Sequence, residues 1–84
     1  MQAMADESVD YVYVDGDHSY EGVSADLAAA FRITRRGGMI CCDDYSLGSW
    51  WEDGVVRAVH EFLVACPVVV HSKADSQIVM RKRR

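Results

Sequence analysis

Two short apolar runs that each stop on carboxylates constrain this chain more than any other feature. Val9-Asp10-Tyr11-Val12-Tyr13-Val14 runs into Asp15-Gly16-Asp17-His18, and Met39-Ile40-Cys41-Cys42 runs into Asp43-Asp44. Valine and tyrosine with only Asp10 polar predict a first strand covered on both faces. Gly16 permits a tight exit from it. Between the runs, Ser19 can cap a helix from Tyr20 to about Thr34. Val23, Leu27 and Phe31 recur at i, i+4 and i+8 as its apolar face, with Ala28 and Ala30 allowing close approach. Arg35 and Arg36 suit the negative end of the helix dipole, and Gly37-Gly38 are expected to terminate it. Strand, helix and strand with short connections make a βαβ unit, so the two strands should be parallel.

The remainder extends that unit. Met1 to Ser8 is a polar lead-in, and Tyr45 to Gly54 is a loop carrying Trp50 and Trp51. Asp53 can cap a second helix from about Gly54 to Ala65, with Val55, Val59, Phe62 and Leu63 on one face and Pro67 at its end. Pro67 to His71 reads as a third strand. Lys73-Ala74-Asp75-Ser76 reads as a turn, and Gln77 to Lys82 as the antiparallel partner strand. The order β-α-β-α-β-β describes one α/β unit spanning residues 1–84.

Composition narrows the function. The chain has 84 residues, half of them hydrophobic, with net charge -4 and one proline, as for one globular unit of marginal size. Asp6, Glu7, Asp10, Asp15, Asp17, Glu21 and Asp26 all precede the first arginine, Arg32. An acidic site region argues against nucleic acid and for a cation. The closing Arg81-Lys82-Arg83-Arg84 reads as a solvated terminus. Three cysteines, two of them adjacent, offer neither a disulfide framework nor a zinc spacing. Free buried thiols, no membrane-length apolar run and no secretion signal lead to the expectation of a cytoplasmic protein.

In parallel α/β sheets, ligands collect outside the carboxyl ends of the strands. Neighbouring strands lie about 4.8 Å apart, so Asp15, Asp43 and Asp44 can converge on one point. Three clustered anions repel unless a cation sits between them, and oxygen-only donors suit Mg²⁺, Ca²⁺ or Mn²⁺. The plainer alternatives are a strand-end turn for Asp15 and solvated or capping acids for Asp43 and Asp44. His18 is either a general base beside a metal-bound hydroxyl or a loop histidine bonded to backbone. Asp17 is a base, an orienting group or a helix-start acid. His60, with Arg57 and Glu61, reads as surface, and His71 as unremarkable. Tyr20 packs the helix start, whereas Tyr45, Trp50 and Trp51 either wall a pocket or pack the loop.

The run Val-Asp-Tyr-Val-Tyr-Val-Asp-Gly-Asp-His-Ser-Tyr-Glu-Gly-Val, followed by Arg-Gly-Gly-Met-Ile-Cys-Cys-Asp-Asp-Tyr and Gly-Val-Val-Arg-Ala-Val-His-Glu-Phe, resembles a known family. It is similar to the C-terminal half of class I S-adenosylmethionine-dependent methyltransferases. The nearest group is the small-molecule O-methyltransferase-like set with an Asp-Gly-Asp-His-Ser-Tyr motif. The resemblance runs from about Val9 to Lys82. It implies the C-terminal half of a Rossmann-like methyltransferase sheet, with parallel strands and a terminal antiparallel hairpin. It further implies methyl transfer from S-adenosylmethionine to a small-molecule hydroxyl, with Mg²⁺ or a similar cation at Asp15, Asp43 and Asp44. His18 would be the general base, or Asp17 as in some sugar O-methyltransferases. The family's glycine-rich cofactor turn and ribose-binding acid have no counterpart here, since none of the six glycines forms a Gly-x-Gly turn between a strand and a helix. The chain is therefore expected to supply the metal and acceptor half, to lack the N-terminal cofactor-binding half and to be inactive alone.

Two other readings compete. One is a non-catalytic module that dimerises or pairs through an open sheet edge. The other, more distant, is a Mg²⁺-dependent phosphatase with an Asp-x-Asp strand end, which also wants a phosphate-binding lysine that the interval between the acidic motifs does not contain. An uncovered Val9–Val14 strand would invite pairing with another chain. The isolated polypeptide is accordingly expected to self-associate or to be poorly folded, and a monodisperse, cooperatively melting monomer in sedimentation and calorimetry would contradict this.

Overall fold

The computed structural model of the protein describes residues 6–14, 19–45 and 53–83. Its elements are β1 (Val9–Val14), α1 (Tyr20–Ile33), β2 (Thr34–Cys42), α2 (Gly54–Ala65), β3 (Val68–Ala74) and β4 (Gln77–Lys82). They form a mixed four-stranded sheet in the order β1-β2-β4-β3, with β1 parallel to β2 and the other two pairings antiparallel. This small α/β arrangement is compatible with part of a methyltransferase fold.

The strand pleat explains the packing. Val12 and Val14 of β1, Ile40 and Cys42 of β2, and Ile78 and Met80 of β4 face one way and are buried. Val23, Leu27, Ala30 and Ile33 of α1 cover them, joined by Val55, Ala58, Val59 and Phe62 of α2. Phe31 sits at the helix boundary and meets Phe62 edge to face, with ring centroids 6.1 Å apart. Full burial of a side chain such as Leu27 or Ile33 contributes roughly 1.5–3 kcal/mol each.

The opposite sheet face differs from the expectation of a strand covered on both sides. Tyr11 and Tyr13 are 53% and 44% exposed. The register carries the same face across Met39 and Cys41 to Arg81 and Val79. Among the described residues no helix lies over it, so β1 is buried on one face only. It also occupies a sheet edge.

The junction between α1 and β2 corrects a second expectation. Ser19 caps α1 as anticipated, its hydroxyl accepting from the Gly22 amide at 3.1 Å. The helix ends at Ile33 with Thr34 as its cap, close to the expected end, but Gly37-Gly38 do not terminate it: β2 begins at Thr34 and is longer than Met39–Cys42. The glycines instead shape a bulge. Thr34 pairs with Val9 and Met39 with Tyr11, so the intervening β2 residues are in excess. Gly37 takes φ 84°, a conformation glycine adopts without steric cost. A Cβ on Gly38 would lie 2.6 Å from Thr34 Cγ2 and 2.8 Å from the Asp10 carbonyl oxygen, leaving no room for a side chain. Arg35 on this bulge reaches Asp10 of β1, and Arg32 pairs with Asp6 at 2.6 Å.

The basic terminus brings a third correction. Lys82 is buried rather than solvated. Its Nζ donates to the carbonyl oxygens of Phe31 at 2.7 Å and Thr34 at 2.8 Å, lies 3.6 Å from Glu7 Oε2, and sits 4.2 Å from the Phe31 ring centroid. The end of β4 thereby satisfies carbonyls that the end of α1 leaves open. The β3–β4 hairpin also turns more tightly than expected, through Asp75 and Ser76 alone, with Asp75 at φ 54°. The sixth element matches its expected span, as does α2, although Asp53 makes no side-chain capping bond.

Replacing Lys82 with Met keeps the packing volume but strands the Phe31 and Thr34 carbonyls. The expected loss is about 2–3 kcal/mol, read as a fall in melting temperature of roughly 10 °C or more. An unchanged melting temperature would remove Lys82 from its proposed role as the pin between β4 and α1.

Candidate functional site

The parallel β1–β2 ladder sets the geometry of the site. Val14 pairs with Cys42, and the Asp43 amide extends the ladder by donating to the Val14 carbonyl at 3.2 Å. Asp43 therefore begins beside the last residue of β1, one peptide before Asp15. Asp43 and Asp44 are both partly buried. Asp15, Asp17 and His18 lie outside the described residues, as do Trp50 and Trp51, so convergence of the three acids rests on sequence position. Among the described residues no group of three or more histidines, cysteines or acids is arranged to hold a metal ion.

The backbone at the acid pair is unusual. Asp44 has φ 57°, in the left-handed region that aspartate enters more readily than most residues but still at a cost. The next residue, Tyr45, is held from the far side of β2. Its amide donates to the Ser76 carbonyl at 2.7 Å, in the β3–β4 turn. Its hydroxyl shares a 2.6 Å hydrogen bond with His60 Nε2 on α2, and the two rings meet at 5.8 Å and 63°. Lys73 Nζ lies 5.8 Å from the Tyr45 ring centroid. The acid turn is thus bonded to β1 before Asp44 and to the hairpin and α2 after it.

His60 is exposed, as its charged neighbours imply, yet it is the residue that holds Tyr45. No local pattern announces that contact, because its partners lie 15 residues apart and meet only once α2 packs beside the sheet. His71 is exposed. Tyr20 is part of the packing at the start of α1, with its hydroxyl donating to Glu61 and the Arg57 guanidinium carbon 4.0 Å from its ring centroid.

The electrostatics at this strand end are negative. Burial chiefly, then the charges of Cys41, Asp43, Asp44 and Asp26, pushes the Cys42 thiol from its ordinary 9.0 up to about 12. The thiol itself donates to the Asp43 carbonyl at 3.7 Å. Carboxylate oxygens in a negative field are the donor type that hard divalent cations take. Asp43 and Asp44 offer two donors of that type.

Comparison with known proteins now identifies the class. The family described as "Methyltransferase domain" matches residues 1–45, more than half of the chain. The chain belongs to that methyltransferase domain family. It is also 33% identical over 55 residues to the uncharacterized protein R132 of Acanthamoeba polyphaga mimivirus, a match covering 66% of this chain. The chain spans 24% of the length of that curated relative.

The raised Cys42 value carries a pH consequence. The folded thiol keeps its proton after the unfolded one has lost it, so this contribution is whole below pH 9.0 and is lost as pH rises towards about 12. Relative to Cys42→Val, the wild type should lose about 2–3 kcal/mol of stability by about pH 11, measured by urea unfolding. Parallel pH profiles for the two proteins would contradict it.

Proposed function

We propose that this chain supplies the metal- and acceptor-binding side of an S-adenosylmethionine-dependent O-methyltransferase acting on a small-molecule hydroxyl. The supporting observation is the β1–β2 register. It sets the Asp43-Asp44 turn beside Val14, the residue that leads into Asp15. Membership of the methyltransferase domain family supplies the reaction class. When bound, S-adenosylmethionine offers an electrophilic sulfonium methyl, and a divalent cation lowers the pKa of the acceptor hydroxyl.

The chain's own residues then divide the work. Asp43, Asp44 and Asp15 would hold the cation, which would lower the pKa of an acceptor hydroxyl placed beside them. His18, or Asp17 in its place, would accept the hydroxyl proton.

Titration of Mn²⁺ or Mg²⁺ by calorimetry tests this reading. Asp43→Asn, Asp44→Asn and Asp15→Asn should each weaken binding by about tenfold or more, whereas Asp75→Asn on the hairpin turn should not. Equal binding by all four variants would sink the metal assignment.

A further inference from the structure

We propose that His60 is a positioning residue which, through Tyr45, holds the Asp43-Asp44 turn in its working conformation. The proposal rests on the reading of Asp43 and Asp44 as ligands, but the clamp itself is an independent feature of the fold.

Three observations carry it. Asp44 occupies a left-handed backbone conformation, φ 57°. Aspartate enters this region more readily than most residues, and here the hydrogen bonds on either side of Asp44 fix the turn. On one side, the Asp43 amide is bonded to Val14 of β1. On the other, Tyr45 is fixed twice: by its amide to the Ser76 carbonyl at 2.7 Å, and by its hydroxyl to His60 Nε2 at 2.6 Å. Three separate elements, β1, α2 and the β3–β4 turn, therefore fix a stretch of three residues.

The side-chain bond is the part of this arrangement that is not generic backbone pairing. Tyr45 is half-buried while His60 stands on the exposed face of α2. The Tyr45 side chain thus crosses from the end of β2 to the helix layer and ties the two together. The edge-to-face contact between the rings, at 5.8 Å, fixes the direction of that tie. Loss of the hydroxyl–imidazole bond leaves Tyr45 held by its amide and by the packing of its ring, without the directional tie to α2, and the φ of Asp44 loses part of what holds it. The carboxylates of a ligand pair must be set to within a fraction of an ångström, so a looser turn weakens a bound cation without unfolding the domain.

The test uses His60→Phe, which keeps a ring but removes the nitrogen, and Tyr45→Phe, which keeps the ring but removes the hydroxyl. His60→Gln restores a polar partner for the phenol. Native-state amide exchange and Mn²⁺ titration are read on each variant and on the double variant. Exchange of the Tyr45 amide should quicken about five- to tenfold in both phenylalanine variants, no further in the double variant, and much less in His60→Gln. Mn²⁺ affinity should fall by a similar factor, with the Leu27 amide and the melting temperature at wild-type values. Unchanged Tyr45 exchange overturns the clamp. Faster exchange with unchanged Mn²⁺ affinity overturns its role in positioning the acids. If the wild type shows no Asp43-dependent Mn²⁺ binding, the ligand reading fails instead, and Tyr45 exchange alone decides for or against the clamp.

Discussion

The parallel pairing of β1 with β2 is the constraint on which the rest of the structure depends. It aligns the carboxyl ends of two strands whose following residues are acids, with Val14 opposite Cys42 and the Asp43 amide on the Val14 carbonyl. The pairing is held from above by α1, whose Leu27, Ala30 and Ile33 pack on the same face as Val12, Val14 and Ile40. It is held at its far end by the bulge, where Gly38 lets the Asp10 carbonyl approach. A shift of one residue would turn the valines of β1 outward and move the acids out of line.

Much of this arrangement was legible in the chain because local patterns and tertiary packing agree. The valine spacing of β1, the Ser19 cap and the Val23–Leu27 stripe of α1 all announce elements that the fold contains. The same holds for the span of β4 and for the parallel β1–β2 pair. Gly37-Gly38 misled because two glycines after a helix commonly end it, whereas here Thr34 passes straight into β2 and the glycines serve a bulge. Lys82 misled because a run of four basic residues looks solvated. Its burial depends on carbonyls 48 and 51 residues away.

The geometry of the candidate site was legible in part. Parallel pairing of the two strands was expected to set Asp43 beside the end of β1, and the register does so. The Tyr45–His60 contact was not readable, since it joins a loop start to a helix face through packing that no periodicity encodes. The cover of β1 was overstated for a related reason. Alternating valine and tyrosine fits either a strand buried on both faces or one with tyrosines at a wetter surface, and Tyr11 and Tyr13 take the second course. Both helices lie over one side of the sheet. The apolar and aromatic residues on its other side give the chain two unlike faces, with the acid pair at one end between them.

The claim that the ends of β1 and β2 form one cation site is tested most directly by paramagnetic broadening in the amide spectrum. Mn²⁺ added well below stoichiometry should first broaden Val14, Asp43, Asp44 and Tyr45, leaving Val68 and Lys82 sharp. Broadening that begins at Asp6, Glu7 and Asp10, or that spreads evenly along the chain, would contradict the account.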